Sequence, residues 1–222
     1  MTQQSPFALR SEIIHQWSEF IDRLFQSAAP HLAVRGDMDH AKISHDYALT
    51  LLQHEGGNRW IVEPAVILHD VGWSALKPGD ISVAYGVLAK GDEAERLNRI
   101  HEIEGAAIAE KILRSFDYDP ALIEIIFAII SRHDSGKDAP TLDEALVKDA
   151  DKLWRFSRTG FWKETERQAL KPTILLDYLA AKLRGWFFSS TARTLAQEEL
   201  VNRRDEINNS STGEIIPGTA NI

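Results

Sequence analysis

Apolar residues recur along most of this chain at the spacing of one helical face. In the segment 101–112, for example, Gly105, Ile108 and Ile112 follow His101 at positions i+4, i+7 and i+11. We find no segment with the period of two that marks a half-buried strand. The pattern therefore predicts an all-α fold. Helices are predicted over residues 7–28, 38–55, 61–70, 93–116, 120–133, 142–157 and 173–206.

Two helix starts carry chemical signals. Asp119 precedes Pro120, as an N-cap acid precedes a proline at the first helical position. Thr141 and Glu144 have the spacing of a capping box. Both signals support the predicted starts of the helices that follow them.

Other segments lack helical periodicity. Residues 71–92 are rich in glycine and include Pro78-Gly79, so we expect an irregular connection there. The last helix is expected to break around Gly185 or Ser189–Ser190. The tail over residues 208–222 has no amphipathic period and is expected to be loosely held.

Composition narrows the class of protein. A chain of 222 residues with 44% hydrophobic and 26% charged residues fits one globular domain, residues 1–222. The chain has no cysteine, which fits a reducing compartment and excludes thiolate metal ligands. Its net charge of −8 argues against a nucleic-acid polymer as partner. Because no long apolar run or signal peptide is found, we expect a cytoplasmic protein that acts on a small molecule, not a membrane.

The stretch VILHDVGW, residues 66–73, places an ionisable pair after a run of large apolar residues. The run predicts a buried helix with His69 and Asp70 at its C-terminal end, where Gly72 can supply a left-handed cap. A single His-Asp pair is usually a structural hydrogen-bonded pair. The pair therefore indicates a functional site only if further histidines or carboxylates accompany it.

Other histidines are predicted to face the interior. His101 and His133 continue apolar helical stripes, although a single histidine in such a place is usually a satisfied core residue. Further upstream, His40 and His45 can both contact one apolar stripe, and periodicity does not choose between them. Each candidate has an ordinary structural explanation when taken alone.

The segment VKDADKLW adds acids to a largely apolar helix. Asp149 and Asp151 stand there beside Lys148 and Lys152, so a salt bridge is the simple explanation. A buried carboxylate needs a compensating positive charge, which a metal ion can also provide.

The ordered set of these residues resembles the HD superfamily, whose signature is an early histidine, an HD doublet and a late aspartate in an ADRL-like segment. Here that segment is ADKL, and HEIEGAAIAEKIL resembles the block that carries additional histidines in some members. In the members that this chain resembles, the early histidine is followed by a helix with the residues Tyr-Ala-Leu. The same residues stand here as Tyr47-Ala48-Leu49, and this resemblance selects His40 over His45. The resemblance covers roughly residues 38–157 and implies a helical HD core, with the helices over 7–28 and 173–206 packed on it. The matched positions are His40, His69, Asp70, His101, His133 and Asp151.

The resemblance also implies a metal site. In members with two ions, His40, His69 and Asp151 hold one ion, His101 and His133 hold the other, and Asp70 bridges them. Asp149 is the alternative to Asp151 and is expected instead to orient a ligand or a lysine. Imidazoles and carboxylates suit one or two divalent transition metals, namely Fe, Mn, Zn, Ni or Co.

The leading functional hypothesis is a metal-dependent phosphohydrolase. By analogy with the superfamily, a metal-bound hydroxide would attack a phosphomonoester or phosphodiester, with a nucleotide as the favoured substrate class. One alternative is a di-iron oxygenase, although Trp73 stands where the inositol oxygenases carry lysine. A second alternative is a non-catalytic HD module that binds a ligand.

Residues that bind the substrate are harder to predict. Arg155 and Arg158 follow the last acidic position, and we choose Arg158 as the phosphate-binding residue. Lys77 and Arg132 are weaker candidates for that role. The aromatic residues over 154–162 and 186–188 are expected to close the core.

Overall fold

The computed structural model describes residues 6–84, 86, 87 and 89–211, with side chains from residue 15 to residue 209. Within these residues all regular elements are helical, which confirms the all-α prediction. Helices α1 to α10 span Pro6–Leu32, Met38–Glu55, Arg59–Leu68, Pro78–Ala84, Asp92–Ser115, Pro120–Ile130, Leu142–Leu153, Arg158–Arg167, Pro172–Trp186 and Ser190–Ser211. A 3-10 helix spans Val71–Ala75. No helix among these residues is both long enough and apolar enough to cross a membrane.

Helix α3 lies at the centre of the fold. Every residue from Ile61 to Leu68 is buried, as the apolar run predicts. The helix packs against α1, α2, α6 and α7. The short chain segment that follows α3 is therefore held at the middle of the helical assembly, which fixes the position of the His-Asp doublet.

One buried acid on α3 joins three helices. The carboxylate of Glu63 accepts hydrogen bonds from Trp17 on α1, at 3.1 Å, and from Arg59, at 2.8 Å. Its second oxygen pairs with Nε2 of His45 on α2 at 2.9 Å. Glu63 therefore links α1, α2 and α3, which is a structural role. His45 takes part in this structural contact.

The terminal helices surround the central ones. Helix α1 packs on α3 and on the 3-10 helix, while α10 packs on α9, α7 and α2. The chain breaks between α9 and α10 over residues 187–189, close to one of the two predicted places. Helix α10 continues to Ser211, so the start of the predicted loose tail is helical. The remainder of that tail, residues 212–222, lies outside the described residues.

The predicted helix starts agree well with the structure. Asp119 caps α6 by accepting a hydrogen bond from the amide of Ala121. Thr141 caps α7 by accepting from the amide of Glu144. Local side-chain chemistry is therefore enough to fix these two ends.

Three other regions differ from the prediction. The connection over 71–92 is only partly irregular, because it contains the 3-10 helix and α4. Helix α7 ends at Leu153, not at residue 157. The unpredicted helix α8 follows, and Ser157 caps it by accepting a hydrogen bond from the amide of Gly160. The chain therefore leaves α7 after Leu153 and begins a separate helix after Ser157.

Gly72 has a different role from the predicted one. It does not adopt the left-handed conformation. Instead, the 3-10 helix lies directly against α5, and a Cβ atom at Gly72 would stand 1.9 Å from the carbonyl oxygen of His101 and 2.7 Å from Cα of Gly105. The two glycines thus allow α5 to approach the doublet closely.

Candidate metal centre

Six predicted side chains meet at one place in the fold. His40 lies in the first turn of α2, and His69 and Asp70 follow α3. The other three come from α5, from the turn after α6 and from α7: His101, His133 and Asp151. All six are at most 5% exposed. Positions far apart in sequence therefore form one buried polar cluster.

Asp70 lies at the centre of this cluster, and its two oxygens face different histidines. Oδ1 lies 3.3 Å from Nε2 of His101 and 3.7 Å from Nε2 of His133. Oδ2 lies 3.2 Å from Nδ1 of His40 and 3.6 Å from Nε2 of His69. A carboxylate with this arrangement can contact two cations at once.

Three of the histidines have one ring nitrogen fixed and the other without a partner. Nδ1 of His69, His101 and His133 lies 2.6, 2.9 and 2.8 Å from the backbone carbonyl three residues earlier. A carbonyl only accepts, so each Nδ1 carries a proton, and in the neutral imidazole each Nε2 presents a lone pair. Those Nε2 atoms are buried and have no hydrogen-bond partner. This is the tautomer that a metal ion needs, and the cluster fits a bound cation.

Asp151 completes the side of the cluster that faces α2. Its Oδ1 lies 3.0 Å from Nε2 of His40 and 3.4 Å from Nε2 of His69. The ring of Trp154 stacks on His40, with centroids 5.1 Å apart. The donor atoms of these two histidines and this aspartate are close enough together to hold one ion.

The charges of the cluster are strongly coupled. Burial alone would raise the pKa of Asp70, but His69, His101, His133 and His40 outweigh it and hold that pKa well below its usual range. In the same way, burial would raise the pKa of Asp151, but His40 and His69 lower it. Both carboxylates are therefore ionised at neutral pH.

The histidines respond in the opposite direction. Burial would lower the pKa of His40, yet its hydrogen bonds to Asp151 and Asp70 raise it to about 9. Burial also opposes protonation of His133, whose pKa rises to about 10 because of the negative charges of Asp134, Asp70 and Asp151. In the metal-free protein these imidazoles hold protons that cations would displace.

Trp73 supports the cluster from the 3-10 helix. Its indole Nε1 donates to Oδ1 of Asp70 at 2.9 Å, and its ring stacks on His101 with centroids 4.0 Å apart. The guanidinium of Arg35 lies over a ring of Trp73, with its Cζ 4.4 Å from the ring centroid. Nη1 of the same guanidinium lies 3.7 Å from Oδ2 of Asp70. Sequence analysis missed Arg35, because it lies in the turn between two helices and has no motif around it.

A pocket of about 430 Å³ opens onto the cluster. Four cationic residues line it together with ligand candidates and aromatic rings: Arg35, Lys90, Lys152 and Arg155, with His40, Asp70, Asp151, Trp73, Tyr178 and Trp186. The buried polar cluster is therefore reachable by a small molecule that carries negative charge.

The predicted phosphate-binding residue does not line this pocket. Arg158 has a side chain that is 57% exposed and pairs with Glu206 at 3.2 Å. Arg155 does line it. Lys77 and Arg132 are absent from the described lining, and Arg132 pairs with Glu144.

Other candidates also have separate partners. The two oxygens of Asp149 accept hydrogen bonds from the amides of Phe188 and Ser189 at 2.9 and 2.8 Å. It therefore joins α7 to the start of α10 and does not orient a histidine of the cluster. Among the aromatic residues, Phe156 and Phe161 are fully buried, as predicted.

Comparison with known proteins agrees with the geometry. The family model for the HD domain matches residues 38–155, which is more than half of the chain. The chain belongs to the HD domain family. The match contains all six residues of the cluster and ends close to the boundary that the sequence predicts. Helices α1, α8, α9 and α10 lie outside it.

A solved HD protein shares the fold. The crystal structure of an HD-superfamily hydrolase from Bacillus thuringiensis aligns with a TM-score of 0.58 and 20% sequence identity, over 88% of this chain and 96% of that chain. Comparison with curated protein sequences gives no significant match. The likeness extends beyond the matched HD domain to the flanking helices.

Proposed function

We propose that this HD-domain protein is a metal-dependent phosphohydrolase that cleaves a phosphomonoester or phosphodiester of a small molecule. The observation that carries the proposal is the set of three buried Nε2 atoms, on His69, His101 and His133, that face carboxylates without a hydrogen-bond partner. Buried polar atoms without partners are rare and costly unless a ligand satisfies them.

The residues divide naturally into two groups around Asp70. His40, His69 and Asp151 would hold one divalent cation, and His101 and His133 would hold a second, with Asp70 shared between them. Such ions, when bound, acidify water and polarise phosphoryl oxygens. The fixed Nδ1 protons on three of the imidazoles keep each ring oriented with its lone pair toward the cluster.

Arg155 is the residue that we assign to the substrate phosphate. It stands four positions after Asp151 and lines the pocket beside it. Burial disfavours its charge, but the carboxylates of Asp151, Asp134 and Asp70 outweigh burial and raise its pKa, so it stays cationic. Within the described residues no hydrogen bond or ion pair occupies its guanidinium. A guanidinium in this position can donate two hydrogen bonds to phosphoryl oxygens.

The outer wall of the pocket suits a flat organic group. Tyr178 and Trp186 on α9 line it, with ring centroids 6.0 Å apart and planes at 80°. Aromatic faces of this kind stack on nucleobases. We therefore propose a nucleotide as the substrate class.

The proposal is tested by metal analysis together with an activity screen. Protein purified without chelators is expected to contain Fe, Mn, Zn, Ni or Co and to release phosphate from an aryl phosphate or a nucleotide. His69→Ala is expected to lose both the metal and the activity while the protein stays folded by circular dichroism. A wild-type protein that binds none of these metals, and hydrolyses no substrate when Mn²⁺ or Fe²⁺ is added, would contradict the proposal. Oxygen uptake that depends on Fe²⁺, without phosphate release, would instead support the alternative function of a di-iron oxygenase.

A further inference from the structure

The second group of histidines lies beside a carboxylate that has no assigned role. Asp134 follows His133 directly, and its Oδ2 lies 3.8 Å from Nε2 of that histidine. Together with His101 these residues place three donor atoms within 4.8 Å of one another. The sequence signal is simple, since residues 133–134 form a second His-Asp doublet.

We propose that Asp134 is a further metal ligand, which holds the second ion together with His101, His133 and Oδ1 of Asp70. The inference rests on the proposed two-ion site. Two buried atoms point to a cation at this place independently of the acid. They are Nε2 of His101 and Nε2 of His133, which are 0% and 1% exposed as residues and have no hydrogen-bond partner.

The surrounding structure holds the turn that carries Asp134. Oε1 of Glu102, which is fully buried on α5, accepts hydrogen bonds from the amides of Asp134 and Ser135 at 2.9 and 2.8 Å. Arg99 pairs with the other oxygen of Glu102 and donates to the carbonyl of Ser131 at 2.6 Å. Because Glu102 is adjacent to His101, a single helix fixes both the first imidazole and the turn that carries the other two donors.

Charge also favours a third carboxylate. Asp70 and Asp151 are the acids within the six-residue cluster, and two divalent ions would leave it strongly positive. Asp134 reduces this excess on the side where only histidines accompany the shared carboxylate. Its side chain is 32% exposed and lines the pocket, so the second ion would lie on the side open to substrate.

The test is a Mn²⁺ titration of the full-length protein after removal of metal with a chelator, followed by calorimetry and electron paramagnetic resonance. The variants are Asp134→Asn and Asp134→Ala. Asp138→Asn is the matched control, since Asp138 lies in the same loop but is exposed and pairs with Arg132. Wild-type protein and the control are each expected to bind two ions, and each of the two sites is expected to have the same affinity in both proteins.

In both Asp134 variants the weaker site is expected to lose affinity about tenfold or more, while the stronger site is unchanged. If both variants bind two ions with wild-type affinities, Asp134 is not a ligand, and the proposed phosphohydrolase stands. If wild-type protein binds one ion only, the inference fails but a mononuclear enzyme remains. If wild-type protein binds no ion, the proposed function itself fails.

Discussion

The indole Nε1 of Trp73 donates a hydrogen bond to Oδ1 of Asp70 at 2.9 Å. That oxygen also faces His101 and His133. The bond fixes the rotation of the central carboxylate, so that its other oxygen faces His40 and His69. Trp73 is therefore a positioning residue for the proposed metal ligand.

Trp73→Phe is expected to lower Mn²⁺ affinity and kcat by about tenfold, because it removes the donor but keeps a ring against His101. Calorimetry and steady-state kinetics measure the two effects. Trp60→Phe is the control, since Trp60 is 40% exposed and its ring packs on Trp17, which is not part of the cluster. Equal metal affinity in Trp73→Phe and wild-type protein would show that the hydrogen bond does not position Asp70.

Two histidines on α2, His40 and His45, have separate roles, and a pair of substitutions distinguishes them. His40→Ala is expected to abolish binding of one ion and to lower kcat at least 100-fold, because it removes a proposed ligand. His45→Ala is expected to keep metal binding and kcat but to destabilise the fold by about 1 to 3 kcal/mol, since an oxygen of Glu63 loses its partner. Metal titration and urea unfolding measure these outcomes. Loss of metal in His45→Ala without unfolding would reverse the assignment.

Much of the fold follows from hydrophobic periodicity and caps. The buried helix α3 and the starts of α6 and α7 have clear signals, since an apolar run and the caps Asp119 and Thr141 act over a few residues. Helix α8 has no amphipathic pattern that predicts it, because its residues are mostly polar, and its N-cap Ser157 is the only local signal at its start. Contact with other helices holds it in place, and no local pattern reports that contact.

The site could be predicted in part for a similar reason. Its histidines lie on apolar stripes, so their burial can be predicted from the sequence. Periodicity does not show which of His40 and His45 belongs to the site. The partner of His45 is an acid on another helix, Glu63. Arg155 and Arg158 both follow Asp151 closely in the sequence, and the sequence does not show which of the two reaches the pocket. Since α7 ends at Leu153 and the cap at Ser157 redirects the chain, Arg158 leaves the pocket.

Substitution of Arg155 and of Arg158 by alanine tests which of the two binds the substrate. Arg155→Ala is expected to raise KM for a phosphorylated substrate about tenfold or more, because it removes a cation that lines the pocket. Arg158→Ala is the charge-matched control and is expected to leave KM unchanged, since its side chain is exposed and paired with Glu206. Steady-state kinetics over a range of substrate concentrations separates KM from kcat. A larger effect from Arg158→Ala would restore the choice made from sequence.

The stability of the metal-free protein is expected to fall as pH rises above about 6.5. The folded pKa values of His40 and His133, about 9 and about 10, lie above the ordinary value of 6.5. Their contribution is therefore complete below pH 6.5 and is lost as pH rises through 9 and 10. Metal binding needs deprotonated imidazoles, so added Mn²⁺ should stabilise the protein more at about pH 8.5, roughly two units above the ordinary pKa, than at about pH 6.5.

Urea unfolding at these two pH values, with chelator and with Mn²⁺, measures this dependence. His40→Ala serves as the comparison and is expected to show a smaller loss of stability between them in chelator. A metal-free wild-type protein that is more stable at the higher pH would contradict the prediction.

The contact between the 3-10 helix and α5 is expected to tolerate no side chain. In Gly72→Ala the new Cβ would stand 1.9 Å from the carbonyl oxygen of His101, a backbone atom that cannot rotate away. Helix α5 must then move, which costs about 1 to 3 kcal/mol and separates His101 from Asp70. Thermal unfolding and Mn²⁺ titration should both show the loss, whereas Gly79→Ala, with open space around its Cβ, should leave metal binding unchanged. A stable Gly72→Ala protein that binds both ions would mean that α5 can shift without affecting the site, and that close packing does not hold His101 in position.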